Sequence, residues 1–199
     1  MATPRTWLTA VSMASAALLT ACDGDPEQPG TSTTRATPPP STSSSRADQA
    51  PPVPNPLDDA AFAASPCTSL TTTQLSDLQL TNTEAVVGDS CTYTDLDPAT
   101  ELAVYVYYFG ADNGLGELYD MKAEVEGMWT DWSAFELDGH PAVRFRDYKS
   151  FNVCDIGVGT SDETYFRVRV QDPADDGRDT CGLVTTIGTA VLATIRAAN

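Results

Sequence analysis

The cysteines constrain this chain more than any other feature of its sequence. It has five of them, and in an exported protein an odd number leaves one thiol without a disulfide partner. Cys22 stands apart from the other four, which are Cys67, Cys91, Cys154 and Cys181. One cysteine near the N-terminus therefore needs an explanation of its own, and the residues before it supply one.

Cys22 ends a segment that has the features of a bacterial lipoprotein signal peptide. Arg5 provides a positive start, and about 13 uncharged, mostly apolar residues follow at 7–19, fewer than the roughly 20 of a membrane-spanning helix. Leu19-Thr20-Ala21-Cys22 resembles a lipobox, with an aliphatic and two small residues before the cysteine. We expect removal of residues 1–21 and attachment of lipid, including palmitate, to Cys22. An ordinary signal peptide with an incidental cysteine is the alternative.

Residues 22–56 have the composition of a disordered linker. They are rich in proline, serine and threonine, with runs such as Pro38-Pro39-Pro40 and Ser43-Ser44-Ser45. Such a segment cannot bury enough apolar surface to offset the entropy lost on ordering. We therefore expect one exported domain over residues 57–199, tethered to the extracytoplasmic face of the cell membrane.

The patterns within 57–199 predict an α+β domain. Thr71 and Gln74 fit the N-cap and N3 positions of a capping box, which predicts a short helix. Residues 102–109 are apolar and rich in β-branched and aromatic residues, and they predict a strand that is covered on both faces. Apolar residues at helical spacing predict a helix over 114–126 and another after Cys181.

Two predicted hairpins complete the sheet. Asp138-Gly139 separates two alternating runs and predicts a tight turn, and residues 159–162 separate two further strands. The predicted order is α-β-β-α-β-β-β-β-α, which gives an antiparallel sheet of about six strands with packed helices.

This order also predicts a disulfide pairing. Four cysteines allow three pairings. The second hairpin returns the chain to the level of Cys154 shortly before Cys181, while Cys67 precedes the first helix and Cys91 begins the strand after it. We therefore predict the bonds Cys67–Cys91 and Cys154–Cys181, in an oxidising compartment.

The order of short motifs along the chain is also informative. A lipobox and a linker precede Pro66-Cys67-Thr68-Ser69-Leu70, and the later motifs are Cys91-Thr92-Tyr93, Gly139-His140-Pro141-Ala142-Val143, Cys154-Asp155-Ile156 and Cys181 at the last helix. In this order they resemble the actinobacterial lipoproteins grouped as domain of unknown function 3558. The resemblance spans the exported domain. It implies an envelope location and paired cysteines, and it implies no activity.

The sequence offers little for catalysis. Its one histidine, His140, lies beside the Asp138-Gly139 turn, and a Ser-His-Asp triad would have to use it. We expect a structural role for His140, and no cofactor or metal, because the acidic clusters lack the ligand spacing of a calcium loop. A formal charge of −17 argues against a nucleic-acid partner.

Four arginines form the candidate binding residues. Arg144 and Arg146 are two apart on one predicted strand, as are Arg167 and Arg169 on another, so each pair shares a face. If the strands are neighbours, the four form a cationic patch suited to carboxylate or phosphate groups. The alternative is surface pairing with nearby carboxylates, namely Asp147, Asp155, Glu163 or Glu136.

These observations favour a lipid-anchored binding or sensing module of the cell envelope without catalytic activity. It would meet the membrane through its lipid, and an envelope small molecule or protein as a partner. An envelope hydrolase that uses paired carboxylates is one alternative, and a scaffold for an envelope protein is another. A deep pocket lined by Tyr105 and Tyr107 would favour a small ligand, and a flat apolar patch a protein.

Overall fold

The computed structural model describes residues 49–82, 90–97, 99–110, 113–147, 152–175 and 177–199. All of these belong to the second of two units, which begins at Thr42. The predicted signal peptide, Cys22 and most of the predicted linker lie outside the described residues. The last linker residues are described, and Val53 among them is buried, with its N–H donating to Oδ1 of Asp162 at 2.8 Å. The packed structure thus includes chain before residue 57.

The secondary structure alternates in blocks of helices and strands. The described ranges contain seven strands, β1 (Leu80–Asn82), β2 (Ser90–Asp95), β3 (Ala103–Gly110), β4 (Trp129–Leu137), β5 (His140–Asp147), β6 (Val153–Gly159) and β7 (Thr164–Gln171). They contain four α-helices, α1 (Ala60–Ala64), α2 (Thr72–Asp77), α3 (Gly116–Glu124) and α4 (Thr180–Ala198), and a 3-10 helix at Pro66–Thr68.

The strands form a single antiparallel sheet in the order β1-β2-β3-β7-β6-β5-β4. The predicted α+β class with an antiparallel sheet is confirmed. The structure adds β1 and α1 to the predicted order, because segments of three and five residues are too short to show a periodic apolar pattern. The β6–β7 hairpin inserts β7 beside β3, so β6 and β7 lie in the middle of the sheet.

One face of the sheet, the α4 face, packs against the C-terminal helix. Val106, Val168 and Ile156 are aligned across three strands on this face and are fully buried. α4 packs on them through a buried stripe that includes Val184, Ile187, Gly188, Val191, Leu192 and Ile195. Among the described residues, α4 alone is long and apolar enough to span a membrane, and this stripe forms part of the core.

The opposite face, the α3 face, is covered by α3 over the part of the sheet near Gly157. Leu118 and Tyr119 of α3 pack with Val143 and Phe145 in a second apolar cluster. A Cβ at Gly157 would lie 2.4 Å from Cδ1 of Leu118, so glycine permits this close approach. The side chain of Asp155, two residues earlier on β6, lies on the same face.

Local signals in the sequence are found where they were predicted. Thr71 and Gln74 form both hydrogen bonds of a capping box. Asp138 and Gly139 both have positive φ, at 47° and 82°, as a type I′ hairpin turn requires. The disulfides join Cys67 to Cys91 and Cys154 to Cys181, which are the predicted pairs.

Candidate anion-binding site

The site is built around a carboxylate in the most buried strand. Every residue of β6, Val153–Gly159, is buried, and Asp155 has no exposed surface. Burying a charged carboxylate is costly unless it is paired and hydrogen-bonded. β7 supplies the pairing, because Asp155 lies directly opposite Arg169 in the antiparallel register and Gly157 lies opposite Arg167.

Two guanidinium groups share this one carboxylate. Nε of Arg167 donates to Oδ1 of Asp155 at 2.7 Å. Nε of Arg169 donates to Oδ1 at 3.0 Å and to Oδ2 at 3.2 Å. The three side chains together carry one net positive charge. This Arg167–Asp155–Arg169 group is the cationic cluster of the α3 face.

The arginines retain donors for a further group. A guanidinium has five N–H donors, and both side chains use Nε for Asp155. Their terminal NH₂ groups form no hydrogen bond with the part of the chain that the structure describes. The side chains of Arg167 and Arg169 are 17% and 25% exposed, so both keep some contact with solvent.

The surroundings of Arg169 favour its charged form. Burial disfavours the charged form of Arg169, but the charge of Asp155 and the hydrogen bond to it outweigh burial and raise the pKa of Arg169 above its ordinary value. Asp147 adds a smaller contribution in the same direction. For Tyr107, an acid, burial acts in the opposite direction and raises the pKa, against the effect of both arginines. The tyrosine is therefore neutral and the arginine charged at neutral pH.

Aromatic rings flank the cluster on both sides. Cζ of Arg167 lies 5.7 Å from the ring centroids of both Tyr107 and Phe145, within the range of a cation–π interaction. Tyr105 stacks beside Tyr107 with a centroid distance of 6.1 Å, and Trp129 lies 4.3 Å from Phe145. The guanidinium of Arg167 is thus held between rings from β3 and β5.

The other two predicted arginines lie on the opposite face. Arg144 is aligned with Ile156 and therefore lies on the α4 face. Its Nη1 donates to Thr185 of α4 at 3.3 Å. Arg146 donates to Thr180 and forms an ion pair with Asp131 at 3.3 Å. The four arginines therefore do not form one patch, because β6 separates β5 from β7 and the register places the two pairs on different faces.

The remaining candidates do not join the cluster. His140 is buried at the start of β5, with Nδ1 3.0 Å from the carbonyl oxygen of Gly159. In the described ranges no three His, Cys, Asp or Glu side chains lie together in a way that could hold a metal ion. A cleft of about 440 Å³ lies beside β1 and β2, around the exposed Leu96. Its lining does not include Tyr105 or Tyr107.

Comparison with known families identifies one family that matches most of the chain. A family described as "Protein of unknown function (DUF3558)" matches residues 17–194. The chain belongs to this family. In this DUF3558 member, the matched residues include the predicted lipobox, both disulfides and the cationic cluster. No curated protein matches the chain.

Sequence reasoning recognised Asp155 only as one of four possible surface partners for the arginines. The structure shows that this carboxylate is buried and accepts hydrogen bonds from both arginines of β7. The available signal was its position in Val153-Cys154-Asp155-Ile156, a run of otherwise apolar residues. A charged residue in such a run is almost always paired when buried.

Proposed function

We propose that this DUF3558 protein is a lipid-anchored, non-catalytic binding module of the cell envelope, and that its cationic cluster binds a carboxylate or phosphate group. One observation carries the proposal: two arginines share a single buried carboxylate through Nε, and their terminal NH₂ groups have no hydrogen-bond partner among the described residues. Guanidinium groups bind carboxylates and phosphates through paired hydrogen bonds.

The arginine side chains of the cluster are preorganised in the absence of a ligand. Asp155 fixes Nε of both arginines, and Tyr107 and Phe145 flank Arg167. Side chains that are already ordered lose less conformational entropy on binding. In a chain of net charge −17, a local excess of positive charge also distinguishes this position from its surroundings.

The predicted anchor supports an envelope location. The lipobox Leu19-Thr20-Ala21-Cys22 lies within the range that the family matches. A lipid on Cys22 and the linker after it would hold the domain outside the membrane, with the cluster free to meet envelope components. Stable anchoring of this kind needs more than one acyl chain.

A binding role without catalysis is supported by the structural contacts of the side chains that could act in catalysis. Asp155 is fully buried and bonded to two arginines, so it is poorly placed to transfer protons. His140 lies beside Gly159 on β6, and Cys67, Cys91, Cys154 and Cys181 are in disulfides. The hydrolase and scaffold alternatives have no comparable observation in their favour.

Titration with simple anions tests the proposal. We expect acetate and inorganic phosphate to shift the NMR signals of the Nε–Hε groups of Arg167 and Arg169, and the shift to weaken at high salt because exposed charges are screened. Arg167→Ala should reduce the affinity by about tenfold or more, since hydrogen bonds to charged groups are strong.

Arg144→Ala is the matched control, because it removes an arginine of the same sheet from the α4 face. It should leave the titration unchanged. If acetate and phosphate produce no saturable shift, or if Arg144→Ala weakens binding as much as Arg167→Ala, the cluster is not the binding site.

A further inference from the structure

We propose that the ligand of this site is a saccharide chain that bears a carboxylate. The proposal rests on the anion site described above and adds the class of molecule that carries the anion. It is based on two aromatic pairs, one on each side of the cationic cluster, on the same face of the sheet.

The first pair is Tyr105 and Tyr107 on β3. Their rings are stacked, with centroids 6.1 Å apart and planes inclined by 19°, and both side chains are partly exposed. In the register of β3 with β7, Tyr105 lies opposite Arg169 and Tyr107 opposite Arg167. Each tyrosine is therefore the direct cross-strand neighbour of one arginine.

The second pair is Trp129 and Trp132 on β4. Their rings are stacked with centroids 5.6 Å apart and planes inclined by 10°, and both are partly exposed. They lie over the buried Phe145, and Nζ of Lys122 lies 4.7 Å from the ring of Trp132. The irregular pairing between Thr130 and Ser133 is a β-bulge, a feature that re-aims side chains at sheet edges.

The two pairs are separated by the width of the cationic cluster. The backbones of β3 and β4 are four strand spacings apart in the sheet order, which corresponds to about 19 Å at the usual spacing, and the rings lie closer because Trp129 packs 4.3 Å from Phe145 of β5. A ligand that contacts both pairs and the arginines must therefore be extended and must carry its anionic group between two ring-binding positions. A single small acid can reach the arginines but not both pairs.

A saccharide has the matching surfaces. The face of an aromatic ring is electron-rich, and a pyranose ring presents C–H groups on its faces and hydroxyls at its edge. The tyrosine hydroxyls and the ammonium of Lys122 provide polar partners beside the rings. An acyl chain or an apolar peptide would instead have to desolvate Arg167 and Arg169 in the middle of its path, at high cost.

The tryptophans also supply the readout. The sequence has three tryptophans, Trp7, Trp129 and Trp132, and the mature chain from Cys22 would retain only the last two. The intrinsic tryptophan fluorescence of the mature protein would therefore report on one side of the proposed site. The probes are a hyaluronan tetrasaccharide, which alternates glucuronate and N-acetylglucosamine, chitotetraose as its neutral counterpart, and acetate and benzoate as acids without a sugar.

The hyaluronan tetrasaccharide should change the tryptophan fluorescence and bind about tenfold or more tightly than acetate, benzoate or chitotetraose, as expected when ring stacking adds to an ionic contact. Tyr105→Ala should weaken tetrasaccharide binding by roughly tenfold and acetate binding by a much smaller factor, because only the saccharide stacks on the ring. Trp132→Ala provides a second variant on the other side of the cluster, and it should weaken tetrasaccharide binding by a similar factor. Because Trp132 also packs against Phe145 and Tyr119, its binding is measured by NMR titration after circular dichroism has shown that the variant is folded.

The outcomes separate this proposal from the anion site on which it rests. If acetate binds through Arg167 but the tetrasaccharide binds no more tightly, the saccharide class is wrong and the anion site stands. If benzoate binds as well as the tetrasaccharide, the ligand is an aromatic acid rather than a sugar. If no probe binds, and inorganic phosphate does not bind either, both proposals fail.

Discussion

Asp155 and Arg169 face each other directly across β6 and β7, and the carboxylate of Asp155 accepts hydrogen bonds on both oxygens from Nε of Arg169. Arg167 shares one of these oxygens. A single register between two central strands therefore neutralises a buried acid and leaves one positive charge at the surface. The stability of the sheet and the proposed binding property depend on the same three side chains.

Removal of Asp155 should destabilise the fold strongly. Asp155→Ala leaves two half-buried guanidinium groups without their carboxylate, and breaking such a pair from one side typically costs about 3 kcal/mol or more. Urea denaturation followed by circular dichroism would measure this loss in the free energy of unfolding.

Asp131→Asn is the control for this substitution. It removes the charge that pairs with Arg146 at a carboxylate that is 72% exposed, and asparagine tolerates the positive φ of 54° at this position, so the expected change is below about 1 kcal/mol. Equal effects of Asp155→Ala and Asp131→Asn would contradict the structural role given to Asp155.

The contrast between local and non-local features explains what the sequence could predict. The capping box of Thr71 and Gln74 and the Asp138-Gly139 turn depend on residues close in sequence, and both are found as predicted. The alternation of Arg144 with Arg146, and of Arg167 with Arg169, also correctly predicted that each pair shares a face.

The relation between the two arginine pairs could not be predicted in the same way. It depends on β6 lying between β5 and β7 and on the register of both contacts, and a shift of one residue reverses the face of every side chain in a strand. The burial of Asp155 follows from the same packing. The arginines and their shared faces were therefore identifiable from the sequence, but the grouping of the two pairs was not.

The disulfide between β6 and α4 should contribute more to stability than any surface ion pair. Cys154 and Cys181 are separated by 27 residues, and closing a loop of this size in the unfolded chain is worth roughly 3.5 kcal/mol on the chain-entropy model. The double variant Cys154→Ser/Cys181→Ser should lose about that much free energy of unfolding in urea.

The other disulfide offers a comparison within the same chain. Cys67–Cys91 closes a loop of similar length, with a separation of 24 residues, so its double serine variant should lose a similar amount. Peptide mapping without reduction checks the connectivity directly, and a peptide linking Cys67 to Cys181 would contradict the observed pairing.

Asp59 should make the stability depend on pH. Its carboxylate is 6% exposed and accepts a hydrogen bond from Oγ1 of Thr160 at 2.6 Å. Burial is the main cause that raises its pKa above the ordinary 3.8, and the threonine hydroxyl acts in the opposite direction. The folded state therefore binds the proton of Asp59 more tightly than the unfolded state does. The resulting contribution to the free energy of unfolding is fully present below pH 3.8 and is lost as pH rises through the folded-state pKa.

Asp59→Asn removes this titration and keeps an oxygen that can accept from Thr160. The free energy of unfolding of the variant, relative to the parent, should therefore improve as pH is raised from about 4 to about 7. Urea denaturation of both proteins across this range measures the difference. A difference that stays constant with pH would show that Asp59 does not titrate differently in the two states.

The proposed anchor is tested by Cys22→Ser. Without the thiol no acyl chain can be attached, so the protein should move from the membrane fraction to the soluble exported fraction, or accumulate with its signal peptide uncleaved. Labelled palmitate should be incorporated into the parent and not into the variant. The double variant Cys67→Ser/Cys91→Ser is the matched control, because it also removes thiols but should keep the lipid. Since stable attachment depends on the acyl chains, a Cys22→Ser protein that remains in the membrane fraction and is released only by detergent would place the anchor elsewhere.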